Sequence, residues 1–484
     1  MDKYIGIDLG TSGIKVLLVA ENGEILNEVS SSYPCLHLEE NYSEQEPNLW
    51  YTHMISCLKQ LLIHQDKNDI KAISFGGQMH GLVLLDENDS IIRPAILWND
   101  GRAVEETKYF NETIGKNNIS SYTGNIAFPG FTAPKILWVY HHEKDNFKRI
   151  SKIMLPKDYL IYRLSGVFAT DVSDISGMLL FDVKNRKYSK EMLDLCHIKE
   201  AQLPRVFESY EVVGYIKKEI ADELGLSNQV KIVAGAGDNA AAAIGTGTVG
   251  NGACNISLGT SGTIFISSEM FSVDPNNALH SFCDASGKYH MMGCILSAAS
   301  ARSWWLEKIL DTKDYDADEK NLEDSNVIFL PYLVGERSPH NDVDIRGAFI
   351  DLSINTTRGQ MSKAVLEGVA FALKDCLNVA ISNGIHPKFT TICGGGAKSN
   401  TWKHIIADAL ELPVKTLKTN QGPSFGAAIL AMVGDKKYQS VEEAISILVK
   451  TVETINPNPK KLDYYRKKYL KFERLYSALK RVEE

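Results

Sequence analysis

Residues 4–26 read "YIGIDLGTSGIKVLLVAENGEIL", and residues 252–268 read "GACNISLGTSGTIFISS". The same five letters, L-G-T-S-G, occupy 9–13 and 258–262, half the chain apart. In both copies β-favouring residues flank a turn bounded by glycines, which predicts strand, tight turn, strand. The first copy gives strands over 4–9, 14–20 and 24–30; the second gives 253–258 and 263–268. Such a turn is either a plain hairpin corner or an anion-binding nest. In the nest, the backbone N–H groups of Gly10, Thr11 and Ser12, or of Gly259, Thr260 and Ser261, point at oxyanions with hydroxyls beside them. One turn leaves both readings open. Two matched turns, each opening half a chain, predict two domains that face a polyphosphate from either side.

The rest of the chain supports a repeated α/β plan. A helix is predicted over 47–64, where Leu49, Trp50, Met54, Leu58, Leu61 and Leu62 recur at helical spacing, and a buried strand over 70–75. After the second turn come helices over 296–310 and 358–383. Then "KFTTICGGGAKSN" gives strand, glycine turn and helix start, and "PVKTLKTNQGPSFGAAILAMVG" gives strand, loop and helix. The predicted domains are 1–247 and 248–484, divided in "GTGTVGNG" at 245–252.

Composition excludes several classes. The chain has 484 residues, a formal net charge of −8, 44% hydrophobic and 23% charged residues. No broad basic face for nucleic acid is expected. The run "KKLDYYRKKYLKFERLYSALKRVEE" at 460–484 is the local exception, read as a helix with a solvated charged face or a binding patch. No stretch of about 18 apolar residues would span a bilayer. The opening "MDKYIGIDLG" lacks a secretion-signal layout, and the eight cysteines show no C-x-x-C spacing. A cytoplasmic chain with reduced thiols is expected.

No G-x-x-x-x-G-K-[ST] is present, so a P-loop is excluded. "GTGTVG" at 245–250 fits G-x-G-x-x-G but precedes a strand. "VKIVAGAGDNAAAAIG" at 230–245 resembles a dinucleotide fingerprint, yet residues 239–268 hold no acidic residue for the ribose. In that uncharged stretch Asp238 stands alone at a strand-to-helix junction. It is either an N-cap or a general base for phosphoryl transfer, with Asn239 beside it able to hydrogen-bond a polyol. Asp8 ends the first strand. It is either a turn-stabilising aspartate or a water-mediated holder of Mg²⁺ beside phosphates.

Together these residues resemble the FGGY family of carbohydrate kinases over nearly the whole chain. The resemblance implies two ribonuclease H-like lobes of the actin and hexokinase type around a central nucleotide cleft. It implies ATP as co-substrate, with Mg²⁺, and a possible homodimer. "GIDLGTSGIKV" and "NISLGTSGTI" look like the two phosphate loops, and "GAGDN" like the segment of the catalytic base, Asp238. "GGGAKSNTWKHIIADAL" at 394–410 looks like the adenosine segment, with Gly395, Gly396 and Asn400 as contacts; a glycine turn before a helix is a sound nucleotide site in its own right. "GGQMHGLVLLD" at 76–86 and "PAILWNDGRA" at 94–103 are similar to the branch that phosphorylates D-xylulose, which implies Gln78, Met79, His80 and Arg102 as sugar contacts. "GERSPHND" at 335–342 agrees with that branch, while His141 replaces a more acidic or amide residue in "GFTAPKILWVYHH". The alternatives are a kinase for D-ribulose, another pentulose or a polyol, and a nucleotide-driven switch of the same superfamily.

Overall fold

A computed structural model describes residues 1–36, 41–419 and 421–483; residues 37–40, Asn420 and Glu484 lie outside the described residues. The chain divides into two compact units. The first takes in Met1–Val249, Ser281–Tyr289 and Gln421–Val449; the second takes in Gly250–His280, His290–Asn420 and Lys450–Glu484. The units therefore interleave along the chain and are not two consecutive halves.

In the first unit seven strands form one sheet: β1 (Lys3–Leu9), β2 (Gly13–Ala20), β3 (Ile25–Ser32), β4 (Ile70–Gly77), β5 (Val212–Tyr215), β6 (Lys231–Val233) and β7 (Ala236–Gly237). The order is β5-β6-β4-β1-β2-β3, with β7 pairing on β4. β1 and β2 are the antiparallel hairpin around the first glycine turn, and β4 runs parallel to β1. Helices α1 (Pro47–Leu61), α2 (Pro156–Ser165), α3 (Val172–Ile175) and α4 (Asp238–Gly245) are the elements that bear on the site. Trp50, Met54, Leu58 and Leu61 of α1 enter the same core as Ile5, Ile7 and Val16, as their spacing requires. The helix ends three residues before the sequence expectation.

The second unit repeats the plan. Five strands of its sheet lie wholly within it: β8 (Cys254–Leu258), β9 (Gly262–Ser268), β10 (Thr390–Cys393), β11 (Val414–Leu417) and β12 (Thr451–Ile455), in the order β9-β8-β10-β11-β12. Hairpin β8/β9 is antiparallel, β8/β10 and β10/β11 are parallel, and β11/β12 is antiparallel. The first sheet shows the same senses in the same positions through β2, β1, β4, β6 and β5. This is the ribonuclease H-like pattern, present twice. Helices α5 (Ala299–Ser303), α6 (Arg358–Ser382) and α7 (Asn400–Leu410) belong to this unit. The helix expected over 296–310 is shorter: Ala298, Ala299 and Ser300 donate their N–H groups to carbonyls of the second glycine turn, and the chain widens into a π-helical stretch over Trp304–Ile309.

Helix α8 (Gly422–Gly434) returns to the first unit and lies against β1 and α4 at backbone contact. A Cβ on Gly6 would stand 1.9 Å from the Ser424 carbonyl, and one on Gly426 would stand 1.8 Å from that of Ala241. Only glycine fits at either place. The tail helix α9 (Leu462–Glu483) buries Tyr465, Tyr469 and Phe472 in the core of the second unit. Lys467 and Lys471 stay at its surface in pairs with Asp463 and Asp351, the solvated charged face that the sequence suggested. Among the described residues no helix is long and apolar enough to cross a membrane. The eight cysteines are free thiols.

The α8 contact carries a prediction. Gly426→Val should destabilise the chain by about 3 kcal/mol, the scale of overpacking against backbone that cannot move. Thermal melting should show a transition lowered by several degrees, whereas Gly395→Ala, where an added Cβ meets nothing within 4 Å, should leave it in place.

Candidate active site

The register of the first sheet decides which residues meet. Asp8 pairs with Gly76 across β1 and β4, and Ala236 and Gly237 pair with Gly76 and Gly77 across β7 and β4. Three parallel strands thus end side by side, with neighbours about 4.8 Å apart. Asp8, the segment 78–80 and Asp238 leave from that common edge, the carboxyl ends where parallel sheets present their ligand sites.

Asp238 is the first residue of α4, after the cap residue Gly237. Its Oδ1 accepts hydrogen bonds from the Asn239 amide at 2.7 Å and from Asn239 Nδ2 at 2.9 Å. Desolvation by the surrounding protein outweighs these bonds and pushes its pKa up to about 6. Asp8 is pushed up to about 7 by desolvation and then by the charge of Asp238, with Lys15 opposing. The charge of Asp238 thus adds to the burial that raises Asp8.

The Met79–His80 pair sits against the same edge. Met79 is buried, and a Cβ on Gly237 would lie 2.9 Å from its Cγ. His80 holds a left-handed backbone, φ 68°, that non-glycine residues seldom adopt. Thr132 Oγ1 and Lys135 Nζ both donate to its carbonyl, at 3.0 and 3.1 Å. Its ring stacks on Phe131 and donates from Nδ1 to the Gly177 carbonyl at 2.7 Å. A carbonyl only accepts, so Nδ1 carries a proton. A Cβ on Gly177 would stand 2.4 Å from the ring. Thr132, Lys135 and Gly177 were not singled out in the sequence, because their partners lie about 50 to 100 residues away.

The first glycine turn closes on itself through Gly10 N–H to the Gly13 carbonyl, and Tyr33 donates its hydroxyl to the Gly10 carbonyl. The Thr11 hydroxyl donates to Gln78 Oε1 at 3.1 Å and accepts from Trp98 Nε1 at 2.9 Å. Gln78 is buried and also bonds Gln45, so Gln78 joins the turn to the strand edge. Among the described residues the amides of Thr11 and Ser12 carry no hydrogen bond. Arg102 stands apart: its guanidinium is committed to Asp100 and Glu44, each at 2.7 Å, and lies over the Tyr42 ring.

The second turn is built differently. The Gly259 and Thr260 carbonyls accept the amides that start α5, and Ser300 adds its hydroxyl to Thr260. Its parallel neighbour β10 ends at the same edge, Ser257 pairing with Cys393, and leads into the glycines. Gly394 has φ 87° and would carry a Cβ 2.7 Å from the Leu258 carbonyl group; Gly395 faces open space. Gly395, Gly396 and Asn400 line one pocket of about 550 Å³ with Arg302, Tyr315 and Trp402. That volume suits a small-molecule ligand. Arg302 is anchored by Glu319 and lies over the Tyr315 ring. Two larger hollows in the first unit, about 680 and 970 Å³, share no residue with these sites.

The Asp8 backbone is paired in the sheet, and its carboxylate has no ion-pair or hydrogen-bond partner among the described residues. No group of three or more potential metal ligands occurs among them either. One unpaired carboxylate fits a hard cation that keeps most of its water, not a protein-caged metal.

Comparisons with known proteins agree across the chain. The model of the FGGY family of carbohydrate kinases, N-terminal domain, matches residues 3–245, and that of the C-terminal domain matches 254–434. The chain is 39% identical over 483 residues to a xylulose kinase of Escherichia coli (strain K12), covering 98% of this chain and 99% of that one. It superposes on the crystal structure of a xyloylose kinase from Brucella ovis with TM-score 0.95 and 38% identity, covering 99% and 100% of the two chains. It superposes as well, TM-score 0.95, on a gluconate kinase from Lactobacillus acidophilus at 28% identity, covering 99% and 98%.

The crowded carboxylates predict a stability effect. Their folded pKa values lie above the usual carboxylate range, so the protonated pair favours the fold at low pH and that gain is lost as pH rises through about 6 to 7. Asp8→Asn should therefore melt higher than the parent at pH 8, and the difference should vanish near pH 4. Carboxyl NMR titration should also show Asn239→Ala raising the Asp238 pKa, since a bond to the charged form is removed.

Proposed function

We propose that this chain, which belongs to the FGGY family of carbohydrate kinases, transfers the γ-phosphoryl group of ATP to the C5 hydroxyl of D-xylulose. The observation that supports it most is the common strand edge. There Asp238 and Asp8 flank the segment carrying Met79 and His80, the pattern that resembles the D-xylulose branch. Asp238 accepts the hydroxyl proton as that oxygen attacks the γ-phosphorus, and ADP leaves. A carboxylate with pKa about 6 is ionised at neutral pH yet basic enough to take a proton. His80, its ring held by the Gly177 carbonyl, is the sugar-contacting histidine of this reading. The amides of Thr11 and Ser12 and the second turn face phosphate oxygens, and the pocket at Gly395, Gly396 and Asn400 takes the adenosine. Asp8 would hold Mg²⁺ through water, and the bound ion would supply neutralisation of the phosphate charge. Arg102 shapes the pocket through Asp100 and Glu44 rather than by touching the sugar. The reading places the enzyme in the cytoplasm.

The gluconate kinase relative keeps other polyols in view, so the test is a substrate panel. ATP consumption with Mg²⁺ should be fastest with D-xylulose among D-xylulose, D-ribulose, L-xylulose, glycerol and gluconate. A different preferred sugar would retain the base and overturn the pocket assignment. Consumption independent of any sugar would favour the switch protein. Asp238→Asn should fold and lose about 10³-fold in kcat, the scale of a positioned base. His80→Ala should raise the sugar KM while the ATP KM stays put. In the parent, kcat/KM should fall about tenfold per pH unit below about pH 6, because protonation removes the base.

A further inference from the structure

The first unit also holds a buried charge cluster. Lys157 of α2 is fully buried with three carboxylates around its ammonium: Asp158 at 2.7 Å, Asp171 at 2.9 Å and Asp174 at 3.5 Å. A buried charge is costly to desolvate, so such a cluster calls for a purpose. Asp158 also accepts the Leu155 amide, and Asp171 Oδ2 accepts three further donors. Asp174 is the most distant and has no hydrogen-bond donor among the described residues.

The Asp171 donors lead to the base. Oδ2 takes the Ser173 amide at 2.8 Å, the Ser173 hydroxyl at 2.5 Å and the Ser209 hydroxyl at 2.7 Å. Because the Ser173 hydroxyl spends its proton on Asp171, its lone pairs point away, and one receives the Gly237 N–H at 3.1 Å. Gly237 is the residue that sets the direction in which Asp238 leaves the sheet. The far end of the same segment holds the Gly177 carbonyl, which fixes the His80 ring.

We propose that Ser173 is the positioning residue for Asp238. The buried Lys157–Asp171 pair orients its hydroxyl, and the segment 171–177 sets the base and the sugar-contacting histidine at a fixed spacing. This rests on the reading of Asp238 as general base. A donor shift at Gly237 would rotate the peptide that carries Asp238, and a displacement near 1 Å costs about 10²-fold in rate.

The experiment compares two equally buried serines. Ser173→Ala and Ser209→Ala each remove one hydroxyl donor from the same Asp171 oxygen, but only Ser173 touches Gly237. Steady-state kinetics with D-xylulose and ATP, alongside thermal melts, should show similar melts for both. Ser173→Ala should lose about 10²-fold in kcat with the ATP KM unchanged, while Ser209→Ala stays within about twofold. Single-turnover rates should show no further loss when Ser173→Ala is added to Asp238→Asn, since one acts through the other. Equal kcat losses for the two serines, or full multiplication of losses in the double variant, would overturn the proposal. If Ser173→Ala does not fold, Ser173→Cys, a weaker acceptor of similar size, takes its place with the same expected direction. Asp238→Asn with parental turnover would instead remove the base reading itself. An inactive Asp238→Asn beside a fully active Ser173→Ala would remove only the positioning role.

Discussion

The first unit depends on a helix that meets two other elements with no side chains between them. α8 crosses β1 at Gly6 and α4 at Ala241 and Gly245, where backbone lies on backbone. Interiors pack at the density of organic crystals, so such contacts admit one arrangement or none. The consequence is topological as well as local. A segment more than 400 residues from the N-terminus becomes the wall behind β1 and α4, and its inner residues, Ser424 to Val433, are buried. The strand and helix that deliver Asp8 and Asp238 are therefore clamped from behind. Asp238 is presented from a rigid start of helix and not from a loop, which is where positional accuracy is easiest to maintain.

Against that rigid back, the front edge stores electrostatic strain. Two carboxylates share one strand edge, the backbone of His80 is left-handed, and a buried Lys135 with its pKa lowered to about 7 by desolvation serves the His80 carbonyl. Each feature works against folding taken alone. Their concentration at one edge is the pattern expected where function and stability compete. The second unit shows no such crowding around its glycines: its pocket is lined by Gly395, Gly396 and Asn400 with aromatic and ion-paired neighbours.

Much of this was legible in the sequence. The repeated L-G-T-S-G turn located both hairpins, because strand periodicity and glycine turns are local signals. β1, β2, β4, β8, β9, β10 and α6 start or end within a few residues of their expected positions. The Met79–His80 and Asp238–Asn239 pairs were found as motifs, and the register then placed them on one edge. Arg102 looked like a sugar contact by its motif, but its engagement with Asp100 and Glu44 depends on the 44–45 strand, which no local pattern announces. The Thr11 hydroxyl, read as a phosphate donor, is tied to Gln78 and Trp98 for the same reason. The interleaving of the units was invisible too: "GPSFGAAILA" reads as any apolar helix, and only close approach explains its glycines.

The two L-G-T-S-G turns differ most where their letters agree. In the first, threonine is consumed by Gln78 and the turn braces the strand edge that carries Asp8 and Asp238. In the second, the threonine and glycine carbonyls seat the start of a helix, and Thr260 remains exposed. A five-residue motif encodes the backbone corner and its amides; the neighbours decide what the side chains do. The repeat thus supplies the same corner twice. The two surroundings differ: a carboxylate pair and a charge-braced serine in the first unit, an open glycine pocket in the second.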